Sequence, residues 1–434
     1  MILRNFTVLG LLCATCVLVF VHAADASIPR VCHGDKRDAL RRFAEFHELA
    51  TRVLYKTRSV SHQPRPFFNL AEDAANYIGQ RGATGLLIFA WDESDLCLFF
   101  WTEGARSPDD YLYVRLPDAR AELIAQARTM SELVQTQTSV AGRLPRKRSM
   151  TAFETPDAPA VDPEVANDVL STLIFPPQIR PALAKVEHLS IVPVGPIATI
   201  PLFMLKPQGD RRVAADLFSI NILTLMEDIQ EPSPSLHHRK ENALIIGNPA
   251  TRDSEWDFPD LPGAEEEARF AHSLFGGVML TRQDATLARF EEFAPSADLI
   301  IVAAHGVSDN EKPLDGSFLA LADARLSPRH IQSLSLDNRP LVVLSACQSG
   351  LGQALDAGVI GLARAFQIAG ASNTVMSLWS VDDDATRFLM ERFYRLLAEH
   401  EPAAALRLAT LETKGRYPNP VQWAAFALFG GPME

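Results

Sequence analysis

Two short apolar runs in the C-terminal half each end on a residue that can take part in nucleophilic chemistry. Residues 298–304 are mostly Leu, Ile, Val and Ala and lead into His305 and Gly306, and residues 341–346 lead into Cys347. Short apolar runs rich in β-branched residues are typical of strands buried on both faces of a parallel sheet. The carboxyl ends of parallel strands meet at one edge, where open α/β sheets build their sites. We therefore expect the histidine and the cysteine to lie close together.

A thiol and an imidazole at such an edge could act as a nucleophile and its general base. A free cysteine has a pKa of about 8.5 and is mostly protonated at neutral pH, whereas the thiolate is the attacking form. His305 could take that proton and return one to a leaving amine. The backbone N–H groups of Gly306 and Cys347 could form an oxyanion hole. The alternative interpretation is a buried structural cysteine at the end of a core strand; the neighbouring His-Gly strand end favours catalysis.

Several sequence blocks, in a fixed order, resemble the CHAT peptidase family, which is related to caspases and separases. The blocks are IVPVGPIATIPL at 191–202, LPGAEEEA at 261–268, AAHG at 303–306, LSACQSG at 344–350, GLARAF at 361–366, SLWSVDD at 377–383, FY at 393–394 and WAAF at 423–426. Ala304 and Ser349 stand where the family usually has threonine, and neither departure removes a catalytic atom. The resemblance implies a caspase–haemoglobinase fold, with His305 as general base and Cys347 as nucleophile.

The resemblance also implies a substrate-binding residue after Trp379. In the CHAT and separase families, an acidic residue in this block lines the S1 pocket and holds a basic P1 side chain. Asp383 is the best match and Asp382 the second. A carboxylate there would bind arginine bidentately and lysine as a point charge. The alternative interpretation is that Asp382, Asp383 and Asp384 cap a helix or supply first-turn carboxylates at its positive end.

The elements that must position these residues alternate between strand and helix. We predict strands at 242–247, 278–281, 298–304, 318–322, 341–346 and 373–378, and helices at 263–275, 285–293, 356–369, 384–398, 402–413 and 421–429. Such alternation requires a mostly parallel sheet with helices on both faces. The predicted fold class is therefore α/β and, by resemblance, caspase–haemoglobinase-like, with an α/β inactive partner half before the catalytic half.

Composition shifts and breaks divide the chain into five predicted parts. They are a signal peptide at 1–23, a helical and hairpin region at 24–140, a basic and proline-rich linker at 141–163, the inactive caspase-like half at 164–240 with parts of the N-terminal region, and the catalytic half at 241–434. No repeat of about 34 residues is visible, so the helical-repeat arrays often joined to this family are not expected here.

The N-terminal residues predict export. Arg4 precedes an apolar stretch at 6–21 and small residues at a suitable cleavage position, as in a secretory signal peptide. A retained signal anchor is the alternative. After cleavage the cysteines are Cys32, Cys97 and Cys347. An oxidising compartment would permit a bridge between the first two and leave the third free; two separate thiols are the alternative. The predicted location is periplasmic or secreted.

Charge and motifs exclude several classes of partner. The net charge of −12 argues against nucleic acid, because phosphate neutralisation requires a basic surface. No nucleotide-binding glycine motif is present, and the histidines have no cysteine or carboxylate partners at metal spacing. Cys13 and Cys16 spell C-x-x-C, but they lie inside the apolar stretch at 6–21, so we expect no cofactor and no metal. The expected partners are a protein or peptide substrate with a basic P1 residue and an activating protein, with no membrane association after signal cleavage.

Together these features predict an exported cysteine endopeptidase that uses a Cys–His dyad and cleaves after Arg or Lys. Two alternatives belong to other classes: a catalytically silent CHAT-fold interaction module, and a cysteine hydrolase acting on a small amide or ester. The presence of His305, Gly306 and Cys347 argues against the interaction module. An acidic S1 pocket would favour peptides over small amides.

Overall fold

The computed structural model describes most of the chain beyond its N-terminal segment. The described residues are 31–45, 70–103, 107–138, 146–147, 163–223, 229, 242–309, 314–345, 347–349, 357–379 and 383–431. The predicted signal peptide, most of the predicted linker and Asp382 lie outside them. Within these ranges, no helix combines the length and apolar character needed to cross a bilayer.

In the C-terminal half, at least one helix separates each strand of the large sheet from the next one along the chain, as the sequence predicts. The strands are β1 (Thr84–Trp91), β2 (Leu96–Thr102), β3 (Leu112–Leu116), β4 (Arg146–Lys147), β5 (His188–Val192), β6 (Ser219–Ile222), β7 (Ala243–Pro249), β8 (Trp256–Asp257), β9 (Val278–Arg282), β10 (Leu299–Ala303), β11 (His305–Val307), β12 (Phe318–Ala320), β13 (Arg325–Leu326), β14 (Leu341–Leu344), β15 (Cys347–Ser349), β16 (Asn373–Ser377) and β17 (Phe426–Gly430). The helices are α1 (36–45), α2 (Leu70–Gly79), α3 (Ala119–Thr138), α4 (Pro163–Ile174), α5 (Arg180–Leu183), α6 (Ala214–Leu217), α7 (Pro262–Phe275), α8 (Leu287–Phe293), α9 (Pro328–Ile331), α10 (Ala357–Ala369), α11 (Asp383–Leu396), α12 (Pro402–Arg416) and α13 (Pro420–Trp423).

Eleven strands form one large sheet in the order β3-β2-β1-β5-β6-β17-β16-β14-β10-β7-β9. The five strands from β16 to β9 are parallel to one another, and so are β1, β5, β6 and β17. The direction reverses between β17 and β16, which pair antiparallel. The predicted α/β class with a mostly parallel sheet is confirmed.

The predicted helix at 421–429 is wrong. Only Pro420–Trp423 is helical there, and Phe426–Gly430 forms β17 between β6 and β16. Periodicity alone cannot separate a short apolar run in a strand from one in a helix. Pairing of β17 with β6 on one side and β16 on the other favours the strand, because it supplies partners for the backbone hydrogen-bonding groups. It also buries Phe426 and Phe429 completely or nearly so.

Both faces of the large sheet are covered by apolar side chains where β1 crosses it. Leu87 and Phe89 belong to one buried cluster, whereas Leu86 and Ile88 belong to another. Successive residues of a strand point to opposite faces. The first cluster includes residues of α3 and α4, and the second includes residues of α1 and α2. The sheet is therefore enclosed between two layers of helices at this end.

One glycine allows a helix to pack directly on the catalytic half of the sheet. A Cβ atom at Gly247 in β7 would clash with the Cβ of Ala268 in α7. The absent side chain therefore lets α7 approach the strand closely. The close approach also brings α7 near the end of β14, where Glu267 of α7 contacts Ser345.

A disulfide joins Cys32 to Cys97, with Cα atoms 5.6 Å apart. It fastens the segment before α1 to β2 across 65 positions of the chain. The sequence left open whether Cys32 and Cys97 form a disulfide or remain separate thiols, and the structure shows the disulfide.

Loss of this bridge should destabilise the protein. A closed loop of this length restricts the unfolded chain, by about 4 kcal/mol in the loop-entropy account. We expect the double variant Cys32→Ala, Cys97→Ala to lose up to that amount in urea unfolding without reductant. Reductant should then destabilise the wild type and leave the double variant unchanged. A wild type insensitive to complete reduction would contradict the expectation.

Candidate active site

The structure brings the predicted histidine and cysteine positions together. In the large sheet, β10 pairs in parallel with β14, with Leu299 opposite Leu341. Beyond that sheet, β11 pairs in parallel with β15, with His305 opposite Cys347. Both pairs are separated by the same 42 positions, so one register runs through both sheets. Neighbouring strands lie about 4.8 Å apart, and the two residues are therefore adjacent in the ladder.

The pairing of β11 with β15 belongs to a second sheet, which has four strands. Its order is β13-β12-β11-β15. Gly306, the predicted oxyanion residue beside the histidine, lies in β11 opposite Gln348 on one side and Leu319 on the other. The sequence did not predict this separate sheet, because its strands are only two or three residues long.

The imidazole of His305 is buried and oriented by a backbone carbonyl. The residue is 5% exposed, and its Nε2 lies 2.7 Å from the carbonyl oxygen of Pro259. A carbonyl only accepts hydrogen bonds, so Nε2 carries the proton and Nδ1 is the nitrogen that can accept one. The ring of Phe258 packs against the imidazole, with centroids 5.2 Å apart.

The loop that supplies this carbonyl is held at both ends. At one end, Arg325 of β13 donates two hydrogen bonds to Asp253, at 2.6 and 2.7 Å. The same carboxylate accepts the N–H of Trp256 at 3.0 Å. At the other end, the side chain of Asn248 accepts the N–H of Leu261 at 2.9 Å. Sequence reasoning missed these residues because none of them lies in a run with catalytic spacing.

The described part of the basic linker lies against this loop. Arg146 and Lys147 form β4, which pairs antiparallel with Trp256 and Asp257 of β8. Phe258, which packs on the imidazole, follows directly. This stretch of the linker is therefore a strand beside the histidine loop.

A buried carboxylate contacts the residue that directly follows β14, the strand that leads to Cys347. Glu267 of α7 is 4% exposed and accepts hydrogen bonds from the hydroxyls of Ser345, at 2.8 Å, and Tyr394, at 2.6 Å. Burial raises the pKa of Glu267 to about 7, while the two hydroxyls oppose that rise. Helical spacing could have revealed it, because Glu267 shares a helix face with the buried Ala271.

The predicted S1 residue begins the helix that packs on α7. Asp383 is the first residue of α11, four positions after the buried Trp379. Arg387 of α11 forms an ion pair with Glu266 of α7 at 2.8 Å. Asp384 is exposed. Asp382, the second candidate, lies outside the described residues.

Another polar cluster lies beside the disulfide. His33, Asp92 and Asp95 present possible metal-ligand atoms within 4.8 Å of one another. The guanidinium of Arg115 donates to Asp95 and lies 3.3 Å from Nε2 of His33. A cationic side chain thus already lies among these groups, so the arrangement is an ion-pair cluster. Its members are distant in sequence and could not be recognised as a group there.

A family model described as the CHAT domain matches residues 163–431. The chain belongs to the CHAT domain family. Tetratricopeptide repeat protein 28 of Homo sapiens is 24% identical in an alignment of 300 residues that covers 57% of this chain and 12% of that protein. The Mus musculus protein of the same name is 24% identical over 299 residues, with the same two shares. This CHAT chain therefore spans only a small part of these relatives.

A solved structure shows the same fold. The separase–securin complex of Saccharomyces cerevisiae matches with a TM-score of 0.52 at 10% identity, covering 91% of this chain and 34% of that chain. Likeness at this identity concerns the fold alone. The CHAT chain has the caspase–haemoglobinase fold, and the resemblance seen in the sequence is confirmed.

The ion pair that holds the histidine loop should give a pH-dependent contribution to stability. The hydrogen bonds from Arg325, the largest cause, lower the pKa of Asp253 from 3.8 to about 2. The ionised carboxylate therefore stabilises the fold above pH 3.8, and this contribution is lost as the pH falls toward 2. We expect Asp253→Asn to reduce the free energy of unfolding at pH 7 by up to about 2 kcal/mol, since one pKa unit is about 1.4 kcal/mol.

Urea unfolding at pH 7 and at about pH 2.5 would measure this effect, which should be smaller at the lower pH. Asp210→Asn is the matched control, because Asp210 pairs with Arg212 at an exposed position and such pairs contribute little. Equal losses in the two variants at pH 7 would show that the loop pair is not special.

Proposed function

We propose that this CHAT chain is an exported cysteine endopeptidase with Cys347 as nucleophile and His305 as general base, cleaving after Arg or Lys. The in-register pairing of His305 with Cys347 is the observation that carries the proposal. The hydrogen bond to Pro259 adds to it, because it leaves Nδ1 as the proton acceptor.

The proposed reaction has two stages. In the first, the thiol proton moves to Nδ1 of His305, and the sulfur attacks the carbonyl carbon of the scissile peptide. The N–H groups of Gly306 and Cys347 stabilise the resulting oxyanion. Collapse to a thioester breaks the C–N bond, and the imidazolium gives its proton to the leaving amine. In the second stage, water hydrolyses the thioester with the same histidine as base.

The carbonyl of Pro259 has a further role in this scheme. When His305 takes the proton, both ring nitrogens become donors. Nε2–H already points to an acceptor 2.7 Å away, and a hydrogen bond from a charged donor is stronger than one from a neutral donor. The loop therefore stabilises the imidazolium that forms during catalysis and keeps the ring in one orientation.

Two further features support the finer parts of the proposal. Asp383 at the start of α11 supports a basic P1 preference, because it falls in the block that bears the acidic S1 residue in the family. The apolar stretch at 6–21 and the Cys32–Cys97 disulfide support export, since such bridges persist mainly in oxidising compartments. The relatives named above do not bear on either point, because the chain matches only 12% of their length.

Removal of either dyad member should abolish peptide cleavage without unfolding the protein. We expect Cys347→Ala to be inactive and His305→Asn to lose at least two orders of magnitude in kcat/KM on a fluorogenic arginine peptide, the usual range for a general base. His330→Asn is the matched control, because His330 pairs with Glu291 at a partly exposed position. Turnover retained by folded Cys347→Ala would show that another group is the nucleophile. A folded wild type that cleaves no peptide would favour the interaction module.

Loss of the S1 carboxylate should remove the preference for basic P1 residues. A desolvated guanidinium deprived of its carboxylate loses about 3–5 kcal/mol, and each ~1.4 kcal/mol is tenfold in rate. Asp383→Asn should therefore lower kcat/KM for arginine peptides by about two decades or more. Asp384→Asn is the neighbouring control and should change selectivity little, because a first-turn helix charge acts mainly on stability.

The assay uses peptides that differ only at P1, at fixed ionic strength. Equal hydrolysis of arginine and aspartate peptides by the wild type would overturn the S1 assignment. A loss confined to Asp382→Asn would move the role to that residue and leave the mechanism in place.

A further inference from the structure

We propose that Glu267 is a positioning residue for Cys347, acting through the hydroxyl of Ser345. The inference rests on the proposed function, because it takes Cys347 to be the reactive group. Glu267 does not lie in the histidine–cysteine ladder. It lies on α7, and its carboxylate reaches the end of β14 just before the nucleophile strand begins.

Ser345 is held in two directions. Its backbone N–H donates to the carbonyl of Val302 at 3.0 Å, which extends the β10–β14 ladder by one step. Its hydroxyl donates to Oε2 of Glu267 at 2.8 Å, which ties the same residue to the helix. Cys347 begins β15 two positions later. A shift of Ser345 would therefore move the nucleophile strand relative to His305.

The carboxylate is itself fixed from the other side. Tyr394 of α11 is fully buried and donates its hydroxyl to Oε1 of Glu267 at 2.6 Å. Each oxygen thus accepts one hydroxyl, which an ionised carboxylate does best because it is only an acceptor. A protonated carboxyl carries a donor on one oxygen, so the hydroxyl at that oxygen would have to rotate and accept a hydrogen bond instead of donating one. The arrangement in which the Ser345 and Tyr394 hydroxyls both donate to the carboxylate therefore requires its ionised form.

The surroundings set the pH at which this change occurs. Burial is the largest influence and raises the pKa of Glu267 to about 7; the Tyr394 and Ser345 hydroxyls lower it, and Glu391 of α11 raises it further. On α7 itself, Glu266 is paired with Arg387 of α11. Strands β7, β10 and β14 contain no titratable residue, whereas β9 ends on Arg282, which pairs with Glu265 of α7. The arrangement with two donated hydrogen bonds should thus form as the pH rises through the neutral range.

The experiment compares the two hydrogen bonds of the Glu267 carboxylate, one from Ser345 and one from Tyr394. We measure kcat and KM on an arginine peptide, the rate of Cys347 alkylation by iodoacetamide, and the melting temperature, from about pH 5.5 to pH 9. The variants are Glu267→Gln, Ser345→Ala, Ser345→Thr, Tyr394→Phe and the double variant Glu267→Gln, Ser345→Ala. Tyr394→Phe is the matched control, because it removes the other hydroxyl from the same carboxylate and keeps the link to Ser345.

We expect Glu267→Gln and Ser345→Ala each to lower kcat about tenfold, with KM little changed. The inflection near pH 7 in the plot of kcat against pH should be lost in both variants. The double variant should be no worse than the worse single one, since both changes break the same link. Ser345→Thr keeps a hydroxyl and should restore kcat. Tyr394→Phe should retain kcat at high pH and move the inflection upward, because one hydroxyl that lowers the pKa of Glu267 is gone.

Several results would overturn the inference. These are unchanged kcat and alkylation rates in Glu267→Gln and Ser345→Ala, multiplicative losses in the double variant, or the same kcat loss in Tyr394→Phe at high pH. If Glu267→Gln does not fold, the two Ser345 variants decide the question with the carboxylate intact. If the wild type cleaves no peptide, the proposed function fails, and the alkylation rates alone confirm or reject the positioning role.

Discussion

The parallel register shared by the two sheets is the constraint on which the candidate site depends. A slip of one residue between neighbouring strands would move every side chain to the opposite face. Because β10 and β14 are buried on both faces, their apolar pattern alone does not specify the register. The hydrogen bonds at the strand ends keep the register of this ladder: the N–H of Leu341 donates to the carbonyl of Asp298, and the N–H of Ser345 donates to the carbonyl of Val302. The pairing of His305 with Cys347 in the second sheet has the same offset.

Helix α7 connects the parts of the site that the sheets leave separate. The loop before it places the Pro259 carbonyl on the histidine, and the helix itself places Glu267 on the end of β14. Two contacts, Arg387 with Glu266 and Tyr394 with Glu267, fix α11 against it. The histidine, the cysteine strand and the start of α11 therefore share one support. A change that moved α7 would disturb all three together.

The sequence predicted those features that depend on local pattern. The strands leading to His305 and Cys347 are local apolar runs, and their parallel pairing follows from the alternation of strand and helix around them. The role of Pro259 could not be predicted in the same way, because the contact is made by a backbone carbonyl, which every residue type has. Strand β17 was missed because its pairing with β6 joins positions far apart in the chain. The ion-pair cluster around Arg115 was missed for the same reason.

The buried carboxylate also bears on the choice between an enzyme and a silent interaction module. A pKa raised from 4.5 to about 7 means that folding stability falls as the pH rises across that interval, because the folded state holds its proton longer. The total loss is about 3 kcal/mol. An apolar side chain of similar size at position 267 would avoid this loss, as replacement of buried charged groups often shows. The same replacement would leave the hydroxyls of Ser345 and Tyr394 without this acceptor, so the carboxylate also links the end of β14 and helix α11 to α7. This link serves the fold in an enzyme and in an interaction module alike, and only an enzyme would also use it to position Cys347.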